Sequence, residues 1–333
     1  MRINRDVLIR LAKQTAERIS RNDRSLLSIY LTGSVLQDDP LLGGTTDIDL
    51  ICVHDRPPAV SRELQRLSNE VHLDILHLVK NAYDPPRRLR RDPWLGTYLV
   101  EQALQLYDRL HWFEFTQASA TAQFYLPENT LARCRWFYEP ARRAWLDMQV
   151  KTGVSNPERV LAYCDTLSNA ANTLICLSSP PLSVRRLMVE FPRRALAAGV
   201  PELTGDLVNL YTPQEFDLSA WEEWMHACRQ ALDACSGEKD ASLEIVPCRR
   251  AYWLNAANAL VNDMPAAAIW ILLNTWTRAV AGLPASSEER KAWQKFIAAL
   301  NLDKNHHQEH IEALDALLDR LDETLENWEL RAG

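Results

Sequence analysis

Glycine is scarce in this sequence, closely spaced cysteine pairs are missing, and 44 acidic residues outnumber 37 basic ones. The 333 residues include ten glycines and seven cysteines, and the formal net charge is −7. The cysteine count is odd and no C-x-x-C pair occurs, so the pattern favours neither a disulfide framework nor a zinc site. A reduced, cytoplasmic location is therefore expected. The negative charge argues against a protein that coats long nucleic acids.

Long hydrophobic runs are also missing. The longest apolar run covers residues 265–273 and is far shorter than the ~20 residues that a membrane-spanning helix needs. We expect it to be a buried helix. The first ten residues carry charges where a signal peptide would have its apolar core. No membrane role is therefore predicted.

The few glycines are concentrated in one place, because three of the ten fall within residues 29–55. An apolar run is broken there by Gly33 and Ser34, and a second apolar run begins with Asp47 and Asp49. Side chains two residues apart on a strand point to the same face, so the two carboxylates should lie together. Two like charges are costly to bury unless a cation lies between them. This pair is the first feature that indicates a function.

The first 115 residues combine helical and strand patterns. Apolar residues recur at helical spacing over 4–21, whereas 71–78 alternates with the period of a strand. These patterns predict an α+β domain, residues 1–115, built on a small mixed β-sheet. The predicted strands are 26–31, 47–53, 71–78 and 104–107, and the predicted helices are 4–21, 61–69 and 94–100.

Residues 116–333 carry helical patterns only, and they predict an all-α helical-bundle domain with a finer division into two sub-bundles, 116–212 and 213–333. The predicted helices are 129–151, 157–178, 183–198, 219–235, 249–261, 265–281, 286–300 and 308–330. The last of them has an apolar stripe on one face. Core packing is the favoured interpretation of this stripe, and a homodimer seam is the alternative.

A third carboxylate, Asp74, lies in the middle of the strand predicted over 71–78. We expect it to join Asp47 and Asp49 from a neighbouring strand. Clustered carboxylates suit Mg²⁺, a hard cation that prefers oxygen ligands, and two such ions can clamp a nucleoside triphosphate for attack at phosphorus. Gly33 lets the backbone approach phosphates closely, and Ser34 adds an amide and a hydroxyl donor.

These residues, in this order, resemble the DNA-polymerase-β-like nucleotidyltransferase superfamily over about residues 1–115. The resemblance implies that Asp47 and Asp49 bind metal and that Asp74 completes the site or acts as the base. It also implies nucleotide binding at Gly33, Ser34 and the neighbouring Thr46. Thr46 stands where the superfamily usually has a serine, and it keeps the hydroxyl group. The loop before it is a little longer than the commonest version.

The segment 167–192 resembles, in layout, part of the aminoglycoside adenylyltransferases of the streptomycin/spectinomycin type. This resemblance implies that Arg185 or Arg186 contacts the triphosphate, which suits the fork geometry of arginine. Asp74 is the first candidate for the general base, and Glu139 in the helical domain is a weaker one, for which a surface role is favoured. His72 shares a strand face with Asp74 and is a further candidate for the site.

Two other groups of residues have competing interpretations. The arginines within 87–91 could bind phosphate or RNA, although a solvated loop is the favoured interpretation. His306 and His310 have the one-turn spacing of a metal pair, but no third ligand is evident and solvation at a helix start explains them better.

Together these features predict a Mg²⁺-dependent nucleotidyltransferase that moves a nucleoside monophosphate from ATP, or another NTP, to a hydroxyl acceptor with release of pyrophosphate. A small molecule is the favoured acceptor. The alternatives are nucleotidylation of a protein or an RNA end, and a non-catalytic nucleotide sensor with the same fold.

Overall fold

The chain folds into a mixed α+β structure with one five-stranded sheet. The computed structural model describes residues 3–150, 156–235, 243–303 and 305–332. Two compact units form, Met1–Ala132 and Arg133–Gly333. The strands are β1 Leu26–Thr32, β2 Thr46–His54, β3 Arg62–Arg66, β4 Val71–Val79 and β5 Leu104–Asp108.

Both units contain helices within the described ranges. In the first unit they are α1 Arg5–Asn22, α2 Leu95–Glu101 and α3 Trp112–Thr121, and α4 Pro127–Val150 begins there and continues into the second unit. In the second unit they are α5 Pro157–Ile175, α6 Val184–Ala197, α7 Leu203–Asn209, α8 Trp221–Ala234, α9 Arg250–Leu260, α10 Pro265–Ala281, α11 Glu288–Ala299 and α12 His307–Ala332. Short 3₁₀ turns connect several of these elements.

The sheet of the first unit has the strand order β3-β4-β2-β1-β5. The pair β2 and β4 is parallel, and the other neighbours are antiparallel. All of β1 is buried, and β2 and β4 are mostly buried, because both of their faces are covered by other parts of this unit. The central strands therefore read as apolar runs, which made them easy to predict.

The two faces of the sheet have separate cores. On one face, α1 packs against side chains such as Ile29, Leu50 and Leu73. On the other face, aromatic residues including Tyr30 and Phe113 form the core together with apolar side chains of the α2 and α3 segments. Because side chains alternate along a strand, Asp47 and Asp49 belong to the same face as Ile51 and Val53, which is the face of the aromatic core.

Three parts of the structure differ from the sequence prediction. The predicted helix over 61–69 is wrong, since residues 62–66 form the edge strand β3. Its side chains are mainly exposed and polar, so the segment has no apolar alternation, and its backbone pairing with β4 determines its conformation. The helices α3 and α7 were not predicted. The first compact unit also extends to residue 132, beyond the expected boundary near 115.

The second unit is organised around α10, the apolar run that the sequence predicted to be a buried helix. That prediction is confirmed, because residues 267–277 are all buried. Helices from before and after residue 212, among them α5, α6, α8 and α9, pack directly on α10. The indole NH of Trp293 donates a hydrogen bond to the Thr277 hydroxyl (3.0 Å), so this buried polar group is satisfied. Lys151, the predicted end of α4, lies outside the described residues.

The apolar stripe of α12 packs into the core of the second unit, as the favoured interpretation predicted. Ile311, Leu314, Leu318, Leu321 and Leu325 are all buried within the single chain. The Trp145 indole on α4 donates to the backbone oxygen of Ile311 (3.0 Å), and Arg142 forms ion pairs with Asp315 and Asp319. Among the residues that the structure describes, no helix has the length and apolar character needed to cross a membrane.

Truncation of the α12 stripe should destabilise the fold. We expect Leu318→Ala to lower the free energy of unfolding by about 2–5 kcal/mol, because it removes a fully buried side chain and leaves a cavity. Leu330→Ala on the same helix is the control, since Leu330 is 82% exposed and should change stability little. Urea unfolding measures both variants. Equal stability of the two variants, or a shift of Leu318→Ala from dimer to monomer, would favour a dimer seam instead.

Candidate metal site

The three predicted carboxylates come together on the sheet of the first unit. Asp47 and Asp49 lie on β2, and Asp74 lies on the parallel neighbour β4, where it pairs directly with Asp49 in the strand register. Each residue offers a carboxylate oxygen, and these three oxygens lie within 4.8 Å of one another. The sequence prediction that Asp74 joins the pair is therefore confirmed. His72 is buried opposite Asp47 in the same register.

The carboxylates are withdrawn from solvent to different degrees. Asp47 is 7% exposed and Asp74 is 4% exposed, whereas Asp49 is half-buried. Close carboxylates in such a setting repel one another and have lost much of their hydration. Positive charge is therefore needed beside them, from a side chain, a metal ion or both.

One such charge comes from Arg62 on the edge strand β3. Its Nε donates to Asp74 Oδ1 at 2.7 Å, and its terminal nitrogen donates to Asp74 Oδ2 at 2.6 Å. This is a bidentate arginine–carboxylate pair, the strongest ion-pair geometry available to these side chains. The sequence analysis missed Arg62 because it assigned the surrounding segment to a helix. The segment 62–66 is polar and mainly exposed, so no local pattern pointed to this strand or to Arg62.

Gly33 brings the backbone against the second carboxylate. Its dihedral angles, φ 79° and ψ −156°, belong to a region that is essentially restricted to glycine. A Cβ atom at this position would overlap the Asp49 carboxylate. The glycine is therefore required twice, for its backbone conformation and for the space that Asp49 occupies. The close packing of Gly33 on Asp49 was not predicted, and the predicted approach of phosphate to the Gly33 backbone stays a prediction.

The two predicted hydroxyl residues face each other across the loop. Ser34 begins a short 3₁₀ turn, and its Oγ lies 3.3 Å from Oγ1 of Thr46, at the start of β2. Thr46 is fully buried and Ser34 is partly buried. Arg5 from α1 donates to the backbone oxygens of Val35 and Leu36, which anchors the turn. The loop thus holds Ser34 close to the start of the carboxylate strand.

Two further polar groups, which the sequence analysis did not identify, border the carboxylates. Thr32 is 3% exposed and pairs with Asp49 in the antiparallel register, so both side chains share one face. Its Oγ1 is buried without a hydrogen-bond partner among the described residues. Tyr98 on α2 is the second group. Burial raises the pKa of its phenol, and the negative charges of Asp49 and Asp47 raise it further.

The remaining predicted site residues belong to the second unit. Arg185 is buried, and its guanidinium lies 3.7 Å from the centre of the Tyr252 ring, a cation–π contact. Arg186 is partly buried on α6. Glu139 is exposed on α4, in agreement with the surface role that the sequence favoured. A nucleotide contact for either arginine, and a catalytic role for Glu139, stay predictions.

The other arginine and histidine groups have partners within their own units. Arg88, Arg90 and Arg91 donate hydrogen bonds to atoms of the first unit, from 2.6 to 3.4 Å away. His306 contacts Asp303, and His310 lies 2.9 Å from the backbone oxygen of Asn301. These bonds give the side chains structural roles at helix ends and turns.

A second group with metal-ligating atoms lies at the start of α3, formed by Asp108, His111 and Glu114. Asp108 accepts hydrogen bonds from the backbone NH groups of Phe113 and Glu114, at 2.9 and 3.4 Å. His111 and Glu114 are exposed and contact each other. Capping of the helix explains this arrangement without a metal ion.

A chain of polar groups crosses the other face of the sheet. His54 Nε2 lies 2.9 Å from His77 Nδ1, and His54 Nδ1 lies 2.9 Å from the Ser25 hydroxyl. The carboxylates of Asp23 and Glu63 stand at the two ends, 3.4 Å from His54 and 3.2 Å from His77. Burial lowers the pKa of His54, the neighbouring His77 lowers it further, and Asp23 acts in the opposite direction together with Asp55.

Comparison with known proteins assigns no family. No protein-family model matches the chain, and no curated protein matches it significantly. The functional assignment therefore depends on the geometry of the site and on the sequence pattern that it contains.

Gly33 should be less replaceable than other glycines of its loop. We expect Gly33→Ala to lower the free energy of unfolding by more than the ~1–3 kcal/mol that a sparsely populated backbone conformation costs, because the new methyl group also displaces Asp49. Gly44→Ala is the matched control, since Gly44 has a φ of +72° but no atom within 4 Å of the added methyl. Chemical denaturation of both variants gives the comparison. Equal losses would contradict the close packing of Gly33 on Asp49.

The buried His54 should make stability depend on pH. Its pKa is lowered in the folded state, so the unfolded chain takes up a proton first as the pH falls below the ordinary value of 6.5. The stabilising contribution is therefore full above that pH and is lost as the pH falls further. We expect His54→Asn to flatten the dependence of the unfolding free energy between pH 7.5 and 5.5. Val53→Ala, a buried neighbour, should lose stability equally at each pH, and an unchanged slope in His54→Asn would refute the assignment.

Proposed function

We propose that the chain is a Mg²⁺-dependent nucleotidyltransferase that transfers a nucleoside monophosphate from ATP, or another NTP, to a hydroxyl acceptor. The observation that carries the proposal is the convergence of Asp47, Asp49 and Asp74 within 4.8 Å beside the Gly33-Ser34 turn. Carboxylate clusters also occur without metal ions, so the surroundings of this cluster matter. Asp47 and Asp74 are buried, Asp49 is half-buried, and Arg62 forms an ion pair with Asp74.

The residues present fit a hard divalent cation. Asp47, Asp49 and Asp74 offer only oxygen ligands, which Mg²⁺ prefers, and the buried Thr32 hydroxyl beside Asp49 lacks a hydrogen-bond partner among the described residues. If the carboxylates served only in structural ion pairs, the Thr32 hydroxyl would be expected to have a hydrogen-bond partner within the protein, as most buried polar groups do. Bound Mg²⁺, as one or two ions, would supply the positive charge that phosphate oxygens need. The three aspartates would hold it and fix its position relative to the Ser34 turn.

The turn would bind the phosphate end of the nucleotide. Ser34 is partly exposed, and its hydroxyl and the backbone NH groups of the turn are donors of the kind that phosphate oxygens accept. Thr46 would orient the Ser34 hydroxyl through the 3.3 Å contact between them. Arg185 and Arg186 are the further candidates for a phosphate contact that the sequence pattern provides. Asp74 is the first candidate for the base, with Glu139 as the weaker alternative.

The acceptor is proposed to be a small molecule with hydroxyl groups. The long helical unit supports this choice, because superfamily members that modify proteins are usually short single domains. Labelled NTP separates the alternatives. Pyrophosphate release that requires a small acceptor supports the proposal, label transferred to a protein or an RNA end supports the first alternative, and binding without turnover supports a nucleotide sensor.

The proposed metal site predicts the effect of neutralising its ligands. We expect Asp47→Asn and Asp49→Asn each to weaken Mg-ATP binding more than tenfold, because the loss of a first ligand should exceed the ~10–100-fold that loss of a supporting residue costs. Isothermal titration calorimetry measures the binding. Asp38→Asn is the control, because it removes an exposed carboxylate from the adjoining loop and makes the same change in net charge.

Circular dichroism should confirm that each variant retains the wild-type fold. Equal binding by Asp47→Asn and Asp38→Asn would remove the basis of the metal site. Absence of Mg-ATP binding to the wild-type protein would overturn the proposed function.

A further inference from the structure

In the Arg62–Asp74 ion pair, the guanidinium binds a carboxylate that a metal ion would need as a ligand. Both oxygens of Asp74 accept hydrogen bonds from the guanidinium, at 2.7 and 2.6 Å. Asp74 has little exposure of its own, whereas the side chain of Arg62 is 37% exposed. The guanidinium can therefore swing toward solvent, but the carboxylate is held by the sheet. Of the two partners, Arg62 is the one able to leave.

The guanidinium and a metal ion would compete for the same oxygens. A divalent ion bound to all three carboxylates would stand close to the positive charge of Arg62, and the two cations repel each other at such distances. Arg62 also donates in the directions that Asp74 would use to coordinate a metal. Asp49 is the most exposed of the three carboxylates, so its oxygens are the most accessible to an incoming ion.

We infer that Arg62 is a positioning residue that controls whether Asp74 joins the metal site. This inference rests on the proposed function. In the absence of metal, Arg62 neutralises Asp74 and keeps the three carboxylates together. When a divalent ion binds to Asp47 and Asp49, release of Asp74 by Arg62 completes the site. The buried Thr32 hydroxyl beside Asp49 has no hydrogen-bond partner among the described residues, so a ligand bound at this place would satisfy it.

The inference predicts that removal of the charge at residue 62 strengthens metal binding. We expect Arg62→Gln to bind Mn²⁺ about five to ten times more tightly than the wild type, because the metal no longer displaces a charge-assisted pair. Arg62→Lys keeps the charge and should bind with nearly wild-type affinity. Electron paramagnetic resonance of free Mn²⁺ measures the affinity directly, without nucleotide or turnover.

The contribution of Asp74 is isolated by a second pair of variants. In the Asp74→Asn background, we expect Arg62→Gln to change Mn²⁺ affinity by less than about twofold, because the coupling between neighbouring residues is removed together with one partner. Thermal unfolding of every variant shows whether the edge strand remains folded. A stable Arg62→Lys variant with wild-type affinity separates the effect of charge from a general loss of structure.

The following outcomes show whether Arg62 controls Asp74 and whether the metal site exists. Unchanged or weaker Mn²⁺ binding by Arg62→Gln would overturn the inference, and so would a full gain that persists in the Asp74→Asn background. Asp47→Asn should abolish binding in the same assay. If it does so while Arg62→Gln has no effect, the metal site stands and only the role of Arg62 fails. If Asp47→Asn binds as the wild type does, the proposed function itself fails.

Discussion

Electrostatic repulsion among three carboxylates is the constraint on which the first unit depends. The parallel pairing of β2 and β4 sets Asp49 directly against Asp74, and the alternation along β2 adds Asp47 on the same face. Three neighbouring features are related to this concentration of charge. Arg62 pairs with Asp74, Gly33 leaves room for Asp49, and the pKa of Tyr98 is raised by burial and further by the charges of Asp49 and Asp47. Apolar residues at these positions would often be at least as stabilising, and this cost is the physical basis of the proposed binding role.

Much of this centre could be predicted because it depends on local patterns. The alternation of strand side chains placed Asp47 and Asp49 on one face, and a carboxylate within an apolar run identified Asp74. Arg62 could not be predicted in the same way. Its strand is short, polar and exposed, so its conformation comes from pairing with β4 and not from its own periodicity. The ion pair follows from tertiary structure that the sequence does not reveal locally.

In the second unit, the positions of the helices could be predicted but the contacts of individual side chains could not. Its helices other than the short α7 were predicted, since apolar spacing is a direct signal of an amphipathic helix, and the buried run of α10 was evident from composition. The surroundings of individual side chains were not predictable. The resemblance implied a phosphate contact for Arg185 or Arg186, which stays a prediction, whereas the cation–π contact of Arg185 with Tyr252 had no signal in the sequence. Helix positions follow from periodicity, whereas the shape of a binding pocket depends on how several helices pack together, which periodicity does not specify.

The position of the charged centre along the chain has a consequence for how the protein folds. Asp47, Asp49, Arg62 and Asp74 all lie within the continuous segment 47–74, which forms β2, β3 and β4. Contacts between residues close in sequence close short loops, and their entropic cost is small compared with that of distant pairings. The ionic centre can therefore assemble early and as a unit during folding. The pair Arg62–Asp74 spans only 12 residues of chain, and Asp49 and Asp74 are neighbours in the register of β2 and β4, so both pairings close short loops.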